Sequence, residues 1–141
     1  MEYNSNNIDQ SLLSAYQDSV YETFNPALQI KIGEENEELS VFLFDNNVYT
    51  WAFVSASNPF SIKISTEENE KRHQSLINLV NNSELRCIEG EGKSEDSSWS
   101  EKSLLILDIS KKDAIKLAQT FEQNALVFGY FNRAPELVLC K

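Results

Sequence analysis

Asn58, Asn69 and Arg72 are the first residues whose types and spacing suggest a site. A helix is expected over residues 66–81, with Asn69 and Arg72 near its start and Asn58 in the Asn-Pro turn before it. Backbone N–H groups at a helix start favour an anion, and the Arg72 guanidinium offers a planar fork for a carboxylate or phosphate. The helical repeat also places Asn69 on the face of His73, Leu76, Ile77 and Val80, at one end of a buried stripe. A buried amide left unpaired costs about 1–3 kcal/mol. Asn69 therefore either ties the Asn58 loop to the helix or lines a pocket. Arg72 has a plain alternative as well, pairing with Glu68 one turn back.

Glu101, Gln123 and Asn124 complete the ligand-binding candidates. Gathered around one pocket with Asn58, Asn69 and Arg72, they would make a small enzyme or a nucleotide or metabolite binder. Gln123-Asn124 otherwise reads as a helix stop, with Asn124 left-handed. Trp99 ends a polar stretch just before an apolar strand, where it either plugs the core edge or anchors an interface. Glu91, Glu95 and Asp96 join Trp99 as interface candidates. Their oxygens suit a divalent cation, but the spacing matches no EF-hand, and no metal is expected.

Other chemistry-bearing residues have structural explanations. Glu68 could act as an acid or base, yet Ser65-Thr66-Glu67-Glu68 is a capping box that already accounts for it. His73, the single histidine, falls on an apolar helix face, and no nucleophile triad can be assembled around it. Glu89-Gly90-Glu91-Gly92 would repel phosphate rather than cradle it. Cys87 and Cys140 make neither a disulfide framework nor a zinc set. No catalytic residue is assigned, and no cofactor is expected.

The chain has 141 residues, with 22 Asp and Glu against 12 Lys and Arg, for a net charge of −10. No basic stripe exists to neutralise phosphates, which argues against direct nucleic-acid binding and against docking on an anionic membrane. The charge suits a protein partner with a basic surface, or simple solubility. A nucleic-acid mimic that occupies a basic groove is a further alternative. No apolar run approaches the roughly 20 residues of a membrane span. Met1 to Asn7 is polar, so no secretory signal is expected, and the cytoplasm is the expected compartment.

These residues need elements to hold them. Ile8, Leu12, Tyr16 and Val20 predict a helix over 9–20, and alternation predicts a strand over 28–32. A short helix with Leu39, Phe42 and Leu43 follows the acidic run 34–38. Strand 48–55 is apolar on both faces, which implies a covered central strand. After helix 66–81 come strand 85–88, a polar loop 89–102 and strand 103–109. The loop is expected to be mobile over 93–98, for want of apolar residues. Ser110 caps a helix with Ala114, Ile115, Ala118 and Phe121, and 125–131 pairs with 136–140 as a hairpin. From residue 48 the order is that of an α+β, ferredoxin-like split βαβ core, an antiparallel sheet with two helices on one face. One domain is expected, with 1–47 an N-terminal addition, 48–131 the core and 132–141 a C-terminal strand.

The chain also resembles the DUF3293 family, bacterial proteins of unknown function. The resemblance rests on Asn58-Pro59 with Ser61, then Ser65, Glu68-Asn69 and Arg72. Further on it rests on Gly90, Gly92, Trp99, Glu101 and Ser103, and on Phe121, Gln123-Asn124-Ala125, Val127 and Gly129. Ala15-Tyr16, Tyr21 and Ile32-Gly33 extend it toward the N-terminus. Ser57 stands where an aromatic is usual, and Glu122 where glycine is usual. The resemblance implies bacterial or phage origin and a cytoplasmic location, and it supplies no activity. The leading expectation is a small acidic binding or protein-interaction domain.

Overall fold

A computed structural model describes residues 10–140. The elements run α1 (Gln10–Asp18), β1 (Val20–Phe24), β2 (Ala27–Ile30), α2 (Glu37–Asp45) and β3 (Thr50–Ser55). After a 3-10 turn at Pro59–Ser61 come α3 (Thr66–Asn82), β4 (Cys87–Lys93), β5 (Ser100–Leu107), α4 (Lys111–Thr120), β6 (Ala125–Tyr130) and β7 (Glu136–Leu139). The seven strands form one antiparallel sheet in the order β2-β1-β4-β5-β3-β6-β7. The described residues thus make a mixed α/β protein with four α-helices on a curled sheet.

Local chemistry sets the helix starts. Ser65 accepts from the Glu68 N–H while the Glu68 carboxylate accepts from the Ser65 N–H, a complete capping box. Ser110 accepts from the Asp113 N–H to start α4, and Asn36 accepts from Leu39 to start α2.

β3 explains the layering. Ala52 and Val54 pack on one face with Leu76 and Val80 of α3, Ala114 and Ala118 of α4, and Leu104 and Ile106 of β5. Trp51 and Phe53 pack on the other with Tyr21, Ile30, Leu39 and Leu43. Trp51 lies flat over Gly129, where a methyl group would stand 2.4 Å from the ring.

The second face is covered partly by the sheet itself. β1 and β3 are separated by two strands, about 14 Å in a flat sheet. The Tyr21 and Phe53 rings nevertheless meet edge-on at 5.5 Å. Curling brings the two margins together, so that the Gly33 N–H, just past β2, donates to the Pro135 carbonyl, just before β7, at 2.8 Å.

Several expectations are corrected. The first helix stops at Asp18, and Val20 begins β1, because Tyr21 and Thr23 alternate inward as in a strand while Val20 is only half-buried. The strand expected over 28–32 is Ala27–Ile30. Residues 89–102 are not a loop. β4 reaches Lys93 and β5 starts at Ser100, in register from Cys87↔Ile106 to Lys93↔Ser100.

The turn between them supplies its own hydrogen bonds instead of apolar contacts. Ser94 N–H donates to the Trp99 carbonyl, and the Asp96 carboxylate accepts from Ser94 and Ser98. These bonds hold the Asp96 carboxyl down to about 2. The left-handed residue after α4 is Glu122 (φ 58°), not Asn124. Met1 to Asn7 lie outside the described residues. No helix among those described is long and apolar enough to cross a membrane.

Candidate functional site

Asn58 organises the site. It follows β3 in a left-handed conformation (φ 49°), a state that asparagine tolerates better than most residues. Its N–H donates to Asn69 Oδ1 (2.9 Å), and its own Oδ1 accepts from Asn69 Nδ2 (2.8 Å) and from the Ile64 N–H (3.2 Å). Its Nδ2 donates to Glu101 Oε2 at 2.8 Å. One side chain therefore joins the loop, α3 and β5. Of the two readings of Asn69, the tie between loop and helix is the one seen, and the same residue also faces a cleft.

That cleft is about 740 Å³ and is bounded by α1, the Asn58 loop, the start of α3 and the β4–β5 turn. Asn58, Asn69, Glu101 and Gln123 line it, with Tyr16, Ser61, Lys63 and Trp99. A chamber of about 30 Å³ lies behind, sharing Tyr16, Trp99, Glu101 and Gln123. Glu101 stands between the two spaces. Burial pushes its carboxyl up to about 7, against the hydrogen bonds of Asn58, Ser55 and Trp99. Both charge states are then populated near neutral pH.

Gln123 and Asn124 are buried. Gln123 Nε2 donates to the Ser57 and Phe121 carbonyls, while Asn124 Nδ2 donates to Ser61 Oγ at 2.9 Å. Tyr16 OH also lies 2.9 Å from Ser61 Oγ, which fastens α1 over the cleft. Burial raises the Tyr16 pKa, so its hydroxyl stays neutral.

Arg72 does not belong to the pocket. Its Nε donates to the Ala56 carbonyl, one terminal nitrogen to the Phe121 carbonyl, and the other to Glu122 Oε1 at 3.3 Å. Neither the anion fork nor a pairing with Glu68 is formed. The guanidinium clamps the strand β3 exit to the α4 exit, contacts that helical spacing cannot foresee. Arg72→Lys keeps the charge but cannot span these acceptors. It should lower stability by about 2 kcal/mol, read by urea denaturation. An unchanged midpoint would refute the clamp.

The acidic candidates sit on the β4–β5 hairpin. Glu91 pairs across to Lys102 and Glu22 in the sheet register, Glu95 lies 4.0 Å from Lys31, and Asp96 is held within its turn. Trp99 is half-buried and faces the cleft rather than standing out as an anchor.

His73 is buried, with Nε2 2.7 Å from Glu89 Oε1, a carboxylate that β4 brings in from far along the chain. Both cysteines are free. Sequence reasoning missed Tyr16 and Ser61 as site residues. Helical spacing sets Tyr16 on an apolar face, although both positions belong to the family pattern noted above.

Fold and site together define a small α/β protein with one polar, aromatic-walled cleft over a buried carboxyl. Residues 54–126, just over half the chain, match the family model described as a protein of unknown function (DUF3293). The chain belongs to the DUF3293 family. Comparison with curated proteins and with solved structures gave no match in either.

Proposed function

We propose that the chain is a binding domain for a small polar molecule, held in the cleft with Glu101 as its principal hydrogen-bonding group. The observation that carries this reading is convergence. Asn58, Asn69, Glu101 and Gln123 come from four separate parts of the chain and line one concave space, of a size that suits a metabolite. Trp99 faces the same cleft, which favours a small ligand over a flat protein partner. A partner with a basic surface rests on the net charge of −10 alone. A carboxyl that titrates near neutrality is also what general acid–base chemistry uses. Turnover of a bound ligand is therefore the second reading.

We also read the middle of the chain as a ferredoxin-like split βαβ core. The order β4-β5-β3-β6 and the packing of α3 and α4 into one apolar cluster support it. The free thiols of Cys87 and Cys140 suit a reducing compartment such as the cytoplasm.

A thermal-shift screen of polar metabolites tests the binding proposal. A ligand at a hundred times its Kd should add about 2.7 kcal/mol of stability. Thr66→Trp, which places a ring at the cleft rim, should abolish the shift without changing the circular dichroism spectrum. Product analysis of the hits separates binding from turnover. The absence of any hit, or hits that survive Thr66→Trp, would remove the cleft from the function.

A further inference from the structure

The cleft presents a carboxyl with an unusual set of neighbours. Glu101 is held by amide, hydroxyl and indole donors, and among the described residues no cation lies within 4.0 Å of it. Two other half-buried glutamates do have one, Glu22 with Lys93 at 2.9 Å and Glu136 with Lys111 at 2.7 Å. Burying a carboxylate without a counter-charge is costly, and a ligand that supplies that charge recovers the cost on binding. Two aromatic side chains, Tyr16 and Trp99, line the space in front of Glu101. Aromatic faces attract planar cations, guanidinium most of all. The chain's net charge of −10 steers a cation toward it.

We infer that the ligand of this cleft is an organic cation bearing a guanidinium or amidinium group, which pairs with Glu101 and lies against Tyr16 and Trp99. This rests on the cleft being a ligand site at all. The cation could be a free small molecule or the arginine side chain of a peptide, and both present the same group. Binding it requires the ionised carboxylate, so a proton leaves Glu101 when the ligand binds below pH 7.

The other titratable groups facing this space are Tyr16, Tyr21 and Lys63. Burial raises both tyrosines, which stay neutral. Lys63, on the loop, is a positive charge that weakens rather than creates the effect. On the neighbouring elements Lys93 is tied to Glu22 and Lys102 to Glu70, while Arg72 is taken up by carbonyls and Glu122.

The test is an NMR titration that follows the Trp99 indole N–H, with butylguanidinium and its neutral isostere butylurea as probes. Butylguanidinium should bind at least tenfold more tightly than butylurea at pH 8. Its affinity should rise about tenfold per pH unit up to pH 7 and then level off. Glu101→Gln, which keeps the shape and accepts from Asn58, should lose at least tenfold in affinity and the pH dependence with it.

A Gly-Arg-Gly peptide distinguishes the sources. Tighter binding than butylguanidinium assigns the group to a peptide, and weaker binding assigns it to a free small molecule. Equal affinity of the two probes, or affinity indifferent to pH and to Glu101→Gln, overturns the inference. Binding of glucose or uridine at Trp99 without butylguanidinium overturns it while leaving the cleft as a ligand site. If none of these probes and no metabolite in the screen binds, both readings fall.

Discussion

Alanine at Gly90 or at Gly129 should each lower stability by about 3 kcal/mol, a fall in Tm of about 10 °C for a chain of this size. The added methyl at Gly90 would stand 2.1 Å from the Glu22 carbonyl oxygen and 3.2 Å from the Phe53 ring. The obstacle is backbone of the adjoining strand, which cannot swing aside as a side chain can. At Gly129 the methyl would meet the fully buried Trp51 ring at 2.4 Å. Alanine makes the unfolded chain less flexible, a gain of at most about 1 kcal/mol that the clash outweighs.

The two variants should fail in different places. Gly90→Ala pushes β1 off β4, so amide exchange should quicken first over Val20–Phe24, while Gly129→Ala should alter Trp51 fluorescence and leave β1 protected. Melting temperatures at or above the parent's would show that the strands have room to spare.

Glu101→Gln should change how stability depends on pH. The carboxyl ionises near 7 in the folded protein, against an ordinary value of 4.5 in the unfolded chain. Between those values the folded state keeps a proton that the unfolded state has lost. The parent therefore loses stability as pH rises from 4.5 to 7 and then stays level. The loss is about 3 kcal/mol on the usual conversion of a pKa shift. Glutamine cannot ionise, so the variant should match the parent near pH 4.5 and exceed it by that amount at pH 8. Urea denaturation across the range measures the difference. Parallel curves would mean that Glu101 is solvated well enough to titrate normally.

The elements that could be read from the sequence are those whose signals are local. Ser65 with Glu68 and Ser110 with Asp113 mark helix starts within four residues, and the double-faced apolar pattern of β3 marks a central strand. Glu89-Gly90-Glu91-Gly92 misled because acidic and glycine residues are poor strand formers on average. Its strict alternation was nonetheless a period-two signal. The glutamates alternate onto the opposite face, where Glu89 meets His73 of α3, and the glycines admit the Glu22 backbone and the Tyr21 ring.

The site was legible in part. Asn58, Asn69, Glu101 and Gln123 were all singled out, since polar residues beside apolar stripes need partners. Arg72 was misassigned because its partners, the Ala56 and Phe121 carbonyls, are distant in the chain. Backbone acceptors carry no mark of residue type.

The bond between Gly33 and Pro135 also bears on how fast the molecule assembles. It joins residues about a hundred positions apart, and closing a loop of that length costs about 4 kcal/mol of chain entropy. Contacts this distant are rewarded only after the intervening strands are paired. The seam is therefore expected to form after the rest of the sheet, and amide exchange at Gly33 should be among the first to quicken as the protein is destabilised.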